Sequence, residues 1–150
     1  MVRSAVDVPE AGLRLDLVVR RNLDQVLPAS HIIELTFTTP NDPGRTVRDV
    51  GVLQFKTDEA GRGTPLFGLS VSVKENVFLI GLSNVPRDIE GNTDLLLQRS
   101  WFDLPIHFGS GLAAILQVEK GTSGEEALKV AFREWNVQST PSTRQSPGPE

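Results

Sequence analysis

The chain has 150 residues, a mass of 16.4 kDa, a formal charge of -4 and no cysteine. A chain of this length is expected to form one domain, and the absence of cysteine excludes disulfide bonds, thiolate metal sites and cysteine nucleophiles. The mild acidity argues against a nucleic-acid partner, because phosphate binding needs clustered Lys and Arg. No apolar run approaches the roughly 20 residues that span a bilayer.

The first half of the chain alternates short strand patterns with loops. Residues 1–12 are predicted to be a flexible segment, and they lack the apolar run of a signal peptide. Period-two alternation of apolar residues predicts strands over 13–19 and 31–38, and a weaker strand over 47–55. Residues 39–44 and 57–65 are rich in Pro, Gly, Asn and Asp, which predicts loops.

The second half begins with a predicted hairpin. Residues 69–74 alternate, residues 77–82 are apolar on both faces, and Asn76 is suited to a positive φ in the turn between them. The apolar run predicts that the second strand is central in its sheet. A short helix is predicted over 88–100, with Asp88 as its N-cap.

The clearest alternation covers 101–108, and a second strand follows over 112–119. Pro105 lacks an N–H group and therefore favours an edge strand or a bulge. Leu128, Ala131, Phe132 and Trp135 share one helical face, behind residues with capping-box spacing, which predicts an amphipathic C-terminal helix. Residues 136–150, with three prolines and five Ser/Thr, are predicted to be a disordered tail.

These elements predict a mainly β fold for residues 13–135. The expected architecture is an antiparallel β-sandwich with the C-terminal amphipathic helix and one further short helix. The alternative is an α+β domain with a single sheet covered by two helices.

Few residues could take part in catalysis or metal binding. Only His31 and His107 could serve a histidine-dependent mechanism. Asp103 shares a strand face with His107, but four residues of strand separate them by about 13 Å. His31 is best interpreted as a hydrogen-bonded structural histidine, and Ser110, between two glycines, as part of a hairpin turn. No spacing indicates a metal site, a cofactor or a catalytic residue.

Trp101, Asp103 and His107 form the candidate binding face. Strand alternation points them away from Phe102 and Leu104. A large aromatic ring with charged neighbours is typical of a contact surface for a partner chain, a peptide or a glycan. The competing interpretation is that a helix covers this face and Trp101 is core packing.

Several segments resemble a C-terminal domain found in uncharacterised bacterial envelope-associated proteins. These segments are Arg20-Arg21-Asn22, Leu27-Pro28-Ala29-Ser30-His31, Gly68-Leu69, Val77-Phe78-Leu79-Ile80-Gly81-Leu82-Ser83, Arg99-Ser100-Trp101-Phe102-Asp103-Leu104-Pro105-Ile106 and Glu119-Lys120-Gly121-Thr122. The resemblance covers about residues 13–135. It implies an envelope-associated or periplasmic context, a module that follows an anchoring or linker region, and no assigned activity or catalytic residues.

Two function classes follow. The first is a non-enzymatic accessory or interaction module of a larger bacterial envelope protein that binds a partner protein or peptide through Trp101, Asp103 and His107. The alternative is a hydrolase or carbohydrate-active domain that uses a histidine and scattered carboxylates, although nothing in the spacing selects a carboxylate pair.

Overall fold

The computed structural model describes residues 1–40, 42 and 45–139, with the backbone alone for 136–139. The described residues form ten strands and two α-helices. In chain order these are β1 (Val2–Val8), β2 (Leu13–Arg21), β3 (Ala29–Thr38), β4 (Val47–Val50), β5 (Gln54–Lys56), β6 (Thr64–Pro65), β7 (Gly68–Lys74), β8 (Val77–Ser83), α1 (Pro86–Gln98), β9 (Trp101–Phe108), β10 (Ala113–Glu119) and α2 (Gly121–Ser139).

The strands form two antiparallel sheets. The first sheet has the order β1-β2-β3-β8-β7. In the second sheet, β9 pairs with β10 on one side and with both β4 and β5 on the other, and β6 extends the sheet from β5. This arrangement confirms the predicted mainly β sandwich with two helices, and it excludes the single-sheet alternative.

The core is one continuous cluster between the sheets. Alternate residues of β2, β3 and β8 meet those of β5 and β9, while α1 and α2 close the cluster with Leu95, Leu96, Leu128, Phe132 and Trp135. The helical stripe predicted for the C-terminal helix is therefore buried, as expected of an amphipathic helix on a sandwich. Neither helix in the described part of the chain has the length and hydropathy to cross a membrane.

The predicted hairpin is present. Asn76 has φ of 64° in the turn, and β8 lies between β3 and β7, as predicted for a strand that is apolar on both faces. The Asn76 side chain also accepts a hydrogen bond of 2.8 Å from the Val47 N–H group, which ties the turn to the start of β4.

The N-terminal segment differs from the prediction. Residues 1–12 were expected to be flexible, but Val2–Val8 forms β1 and pairs with β2 along its whole length. A short 3-10 turn, Pro9–Ala11, leads to Gly12, whose φ of 67° turns the chain back into β2. Hairpin pairing orders this segment because every residue of β1 has a register partner in β2, and alternate pairs exchange backbone hydrogen bonds.

The helix ends also differ. Helix α1 begins at Pro86, and the first position of a helix is suited to proline. Asp88 therefore lies inside the first turn and is not the N-cap. Its carboxylate accepts a 2.7 Å hydrogen bond from the Ser83 hydroxyl. Helix α2 spans Gly121–Ser139, so 136–139 of the predicted tail are helical. The remainder of that tail lies outside the described residues, as do Asn41, Pro43 and Gly44 of the predicted 39–44 loop.

Pro105 lies in a central strand, not at an edge. The predicted strand over 47–55 is interrupted between β4 and β5, and this interruption is opposite Pro105. Gly51 donates a 2.9 Å hydrogen bond to the Pro105 carbonyl. Since the N and C=O of one strand residue point to the same side, the missing Pro105 N–H group faces the gap, where no ladder bond is needed.

Candidate functional site

The three predicted binding residues lie on the outer face of β9. Trp101 and Asp103 are partly buried, and His107 is exposed. Lys56 of β5 is directly opposite Trp101 in the sheet register. The structure therefore places the three residues on one face, and their role in binding stays a prediction.

Asp103 already has a partner in the fold. Lys56 Nζ lies 2.8 Å from Asp103 Oδ1, and the two side chains are 1% and 17% exposed, respectively. The Lys56 ammonium donates a hydrogen bond of 2.7 Å to the Glu59 carbonyl. Asp103 Oδ1 is buried and receives no well-directed hydrogen bond, so its contact with Lys56 is an ion pair without hydrogen-bond geometry. The carboxylate thus neutralises a buried cation.

His107 has an acidic neighbour in register. Asp49 of β4 is opposite His107, next to a register shift in the pairing of β4 with β9. The Asp49 carboxylate accepts a hydrogen bond of 3.0 Å from the Val50 N–H group. This carboxylate is therefore used to hold the local backbone, and His107 is a surface residue.

His31 packs the C-terminal helix onto the first sheet. Its ring centroid lies 5.1 Å from that of Phe132 and 5.2 Å from that of Trp135, and Nδ1 is 2.9 Å from the Ser30 hydroxyl. Burial, with a smaller effect from the Arg21 charge, lowers the pKa of His31 to about 4. The ring is neutral at pH 7, in agreement with a structural role.

Lys120 is a second lysine, after Lys56, whose side chain is partly or fully removed from solvent. Its Nζ donates a hydrogen bond to the Leu96 carbonyl near the end of α1, where a positive charge complements the helix dipole. Burial lowers the pKa of Lys120. The apolar cavity beside it, lined by residues such as Leu17, Leu53 and Leu128, has a volume of about 70 Å³, far below the several hundred Å³ of typical ligand pockets.

The described ranges contain no cluster of metal-ligating side chains. Over residues 1–40, 42 and 45–139, no three His, Asp or Glu side chains come together in a way that could hold an ion.

The outer face of β7 is apolar and exposed. Leu69, Val71 and Val73, which we call the β7 surface, are 77%, 57% and 55% exposed. Strand β7 is at the edge of the first sheet and pairs only with β8 among the described strands. The alternation of Leu69, Val71 and Val73 is visible in the sequence, but by itself it predicts an inward-facing apolar side, because an alternating strand normally turns that side to the core.

A buried amide fixes the start of β7. Asn92 of α1 is 2% exposed; its side chain accepts a 2.8 Å hydrogen bond from the Phe67 N–H group and donates one of 3.0 Å to the Phe67 carbonyl. The side chain thus imitates a strand partner for one residue. The Phe67 ring remains 53% exposed at the end of the β7 surface.

Comparison of the chain with protein-family models, curated proteins and solved structures finds no match.

Proposed function

We propose that this domain is a non-enzymatic interaction module that binds an extended segment of a partner protein or peptide along β7. The resemblance to envelope-associated proteins supports a role as an accessory domain of a larger bacterial envelope protein. The proposal keeps the predicted class of function and moves the main contact from β9 to β7.

The exposure of the β7 surface carries this proposal. An apolar edge strand is a template for pairing with another chain, and natural proteins usually protect such edges with charges, prolines or a covering element. Gly68–Val73 contains neither a charged residue nor a proline. Peptides that add a strand to a sheet edge gain affinity from main-chain hydrogen bonds and specificity from alternate side chains.

The outer face of β9 supports binding less strongly. Asp103 is engaged with Lys56, and Trp101 is partly buried. The exposed neighbours of this face are Ile115 of β10, which is opposite Pro105 and 63% exposed, and His107. We therefore treat Trp101 and His107 as a secondary contact.

Fluorescence anisotropy with a labelled peptide tests the proposal. The probe is a fluorescein-labelled peptide of alternating valine and threonine, which is titrated with the domain. We expect saturable binding to the wild type and a loss of affinity of roughly tenfold or more in Ser70→Pro, because proline removes an edge N–H group and cannot pair there. Val130→Lys, at an exposed apolar position of α2 beside Val2, is the matched control and should bind as the wild type does.

Two results would contradict the proposal. One is absence of saturable binding by the wild type up to millimolar concentration. The other is equal binding by wild type and Ser70→Pro when circular dichroism shows that both are folded.

A further inference from the structure

We infer that the groove along the free edge of β10 binds an extended peptide that ends in a free carboxylate, and that Arg45 holds this carboxylate. The site is separate from the β7 surface, because β7 is at the edge of the first sheet and β10 is at the edge of the second. The inference therefore goes beyond the proposed function and does not depend on it.

The side chain of Arg45 is held in place at the end of the sandwich. Its guanidinium carbon lies 4.0 Å from the centre of the Phe108 ring, and Nη1 donates a 2.7 Å hydrogen bond to the Ala11 carbonyl. These contacts join the second sheet to the turn between β1 and β2. A guanidinium that is already fixed loses less conformational entropy when it binds a ligand.

The charge of Arg45 is not used in an ion pair of the fold. None of the ion pairs within residues 1–40, 42 and 45–139 includes it. A guanidinium presents five N–H donors in a planar fork that matches a carboxylate. One hydrogen bond to a neutral carbonyl leaves donors for an anionic group.

Arg45 lines a groove that follows the edge of β10. The groove has a volume of about 480 Å³, which is within the range of ligand pockets, and it is also lined by Val8, Ala11 and residues 112–117. Residues 113–118 contain neither a charge nor a proline, so no residue of this edge blocks the addition of a strand.

The backbone of β10 offers hydrogen-bonding groups to such a peptide. Phe108 donates a 2.8 Å hydrogen bond to the Leu112 carbonyl, and the register of β9 with β10 is constant. Alternation therefore turns the N–H and C=O groups of Ala113, Ile115 and Gln117 away from β9, toward the free edge. An added strand can pair with these three residues.

The position of Arg45 selects a chain terminus and its direction. Phe108 ends β9 and the hairpin turn follows at once, so the guanidinium lies near the point where the β10 edge begins. A peptide that runs antiparallel to β10 brings its terminal carboxylate to this point. A parallel peptide would bring its N-terminal ammonium there, which the positive charge of Arg45 disfavours.

Acidic side chains limit the negative charge that the ligand can carry. Glu10, Asp42 and Glu59 are exposed and lie along this groove or the adjoining surface of Arg45. They repel a peptide with further acidic residues, so the favoured ligand has its terminus as its only negative group. Removal of the Glu10 charge should therefore strengthen binding.

Fluorescence anisotropy with two labelled peptides tests the inference. Both are short peptides of alternating threonine and valine with fluorescein at the N-terminus, and they differ only in a free or an amidated C-terminus. We expect the wild type to bind the free acid roughly tenfold more tightly than the amide. This preference should be lost in Arg45→Gln and in Ile115→Pro, which removes an edge N–H group, and should increase in Glu10→Gln.

Two controls separate this site from other effects. Arg48→Gln makes the same change of charge at an exposed position of β4 and should keep the preference for the free acid. Ser70→Pro blocks pairing at β7 and should keep it as well. Circular dichroism checks that each variant is folded.

Three outcomes would overturn the inference. These are equal affinity of the wild type for acid and amide, a preference that persists in folded Arg45→Gln, or a Glu10→Gln variant that binds the free acid no more tightly than the wild type. If acid and amide bind equally and Ser70→Pro weakens both, the inference fails and the proposed function stands. If only the free acid binds and Ser70→Pro does not weaken it, the inference stands and the proposed function fails.

Discussion

The ammonium of Lys56 lies 2.8 Å from the carboxylate of Asp103 on the neighbouring strand, and the lysine side chain is almost completely removed from solvent. A buried cation is tolerated only when an opposite charge and hydrogen-bond acceptors compensate its lost hydration. Asp103 supplies the charge, and the Glu59 carbonyl supplies an acceptor. The residue predicted to contact a partner therefore contributes first to the folded state of this sheet.

Replacement of Asp103 by asparagine should destabilise the domain. The variant leaves the Lys56 charge without its counter-ion, and the expected loss is about 3 kcal/mol of unfolding free energy in urea titrations. Asp49→Asn, on the exposed side of β4, is the control and should cost less than about 1 kcal/mol. The double variant Lys56→Met with Asp103→Leu should regain much of the loss. A cost below about 1 kcal/mol for Asp103→Asn would show that the pair is not needed.

Acid should weaken the docking of α2 through His31. The folded-state pKa of about 4 lies below the ordinary value of 6.5, so between these values the unfolded chain binds more protons than the folded one. Stability therefore rises with pH across this window, is complete above 6.5 and is lost as the pH falls toward 4. At this partly exposed site the contribution is about 1–2 kcal/mol.

Comparison with a histidine variant isolates this effect. The difference in unfolding free energy between wild type and His31→Gln should increase from pH 4 to 6.5, because glutamine does not titrate. A flat difference for His31→Gln would mean that protonation of this ring is not coupled to folding.

Removal of the Asn92 amide should cost about 2–4 kcal/mol. Asn92→Ala loses two hydrogen bonds and leaves the Phe67 backbone groups without these partners. Thermal and urea unfolding would measure the loss, and Asn84→Ala, at an exposed position before α1, is the control. We also expect faster amide hydrogen exchange at Phe67 in Asn92→Ala. Unchanged exchange at Phe67 would contradict the proposed clamp.

Two neighbours in β9 should respond differently to truncation. Phe102 is 6% exposed and packs against Phe55 at 5.4 Å between ring centroids, so Phe102→Ala should cost about 3–5 kcal/mol. Trp101→Ala should cost much less, because its side chain lies on the outer face and keeps contact with solvent. Equal losses in thermal melts would mean that Trp101 is part of the core.

The sequence predicts much of the fold because its patterns are local. Alternation of Phe102, Leu104, Ile106 and Phe108 identifies β9 and its buried side, and helical spacing identifies the buried stripe of α2. The Lys56–Asp103 pair is not predictable in this way, since the two residues are 47 positions apart in the chain and meet only through the register of β5 with β9.

The β7 surface escapes prediction for a related reason. Leu69 and Val71 alternate with serines, a pattern that normally turns the apolar residues to the core. The constant register with β8 instead places Ser70 opposite buried Ile80 and Ser72 opposite buried Phe78, so the apolar residues face outward. The pairing with β8 determines which side of β7 faces the core. Because β8 is apolar on both faces, the sequence alone does not show which side that is.

The interruption opposite Pro105 divides the flank of β9 into two separately held pieces. Strand β4 is secured at its start by Asn76, whereas β5 is secured by the charge of Lys56. Neither piece passes strain to the other through a continuous ladder. Native-state amide hydrogen exchange should therefore reveal two independent opening units along this flank. Either β4 or β5 can then open while the other strand stays paired with β9.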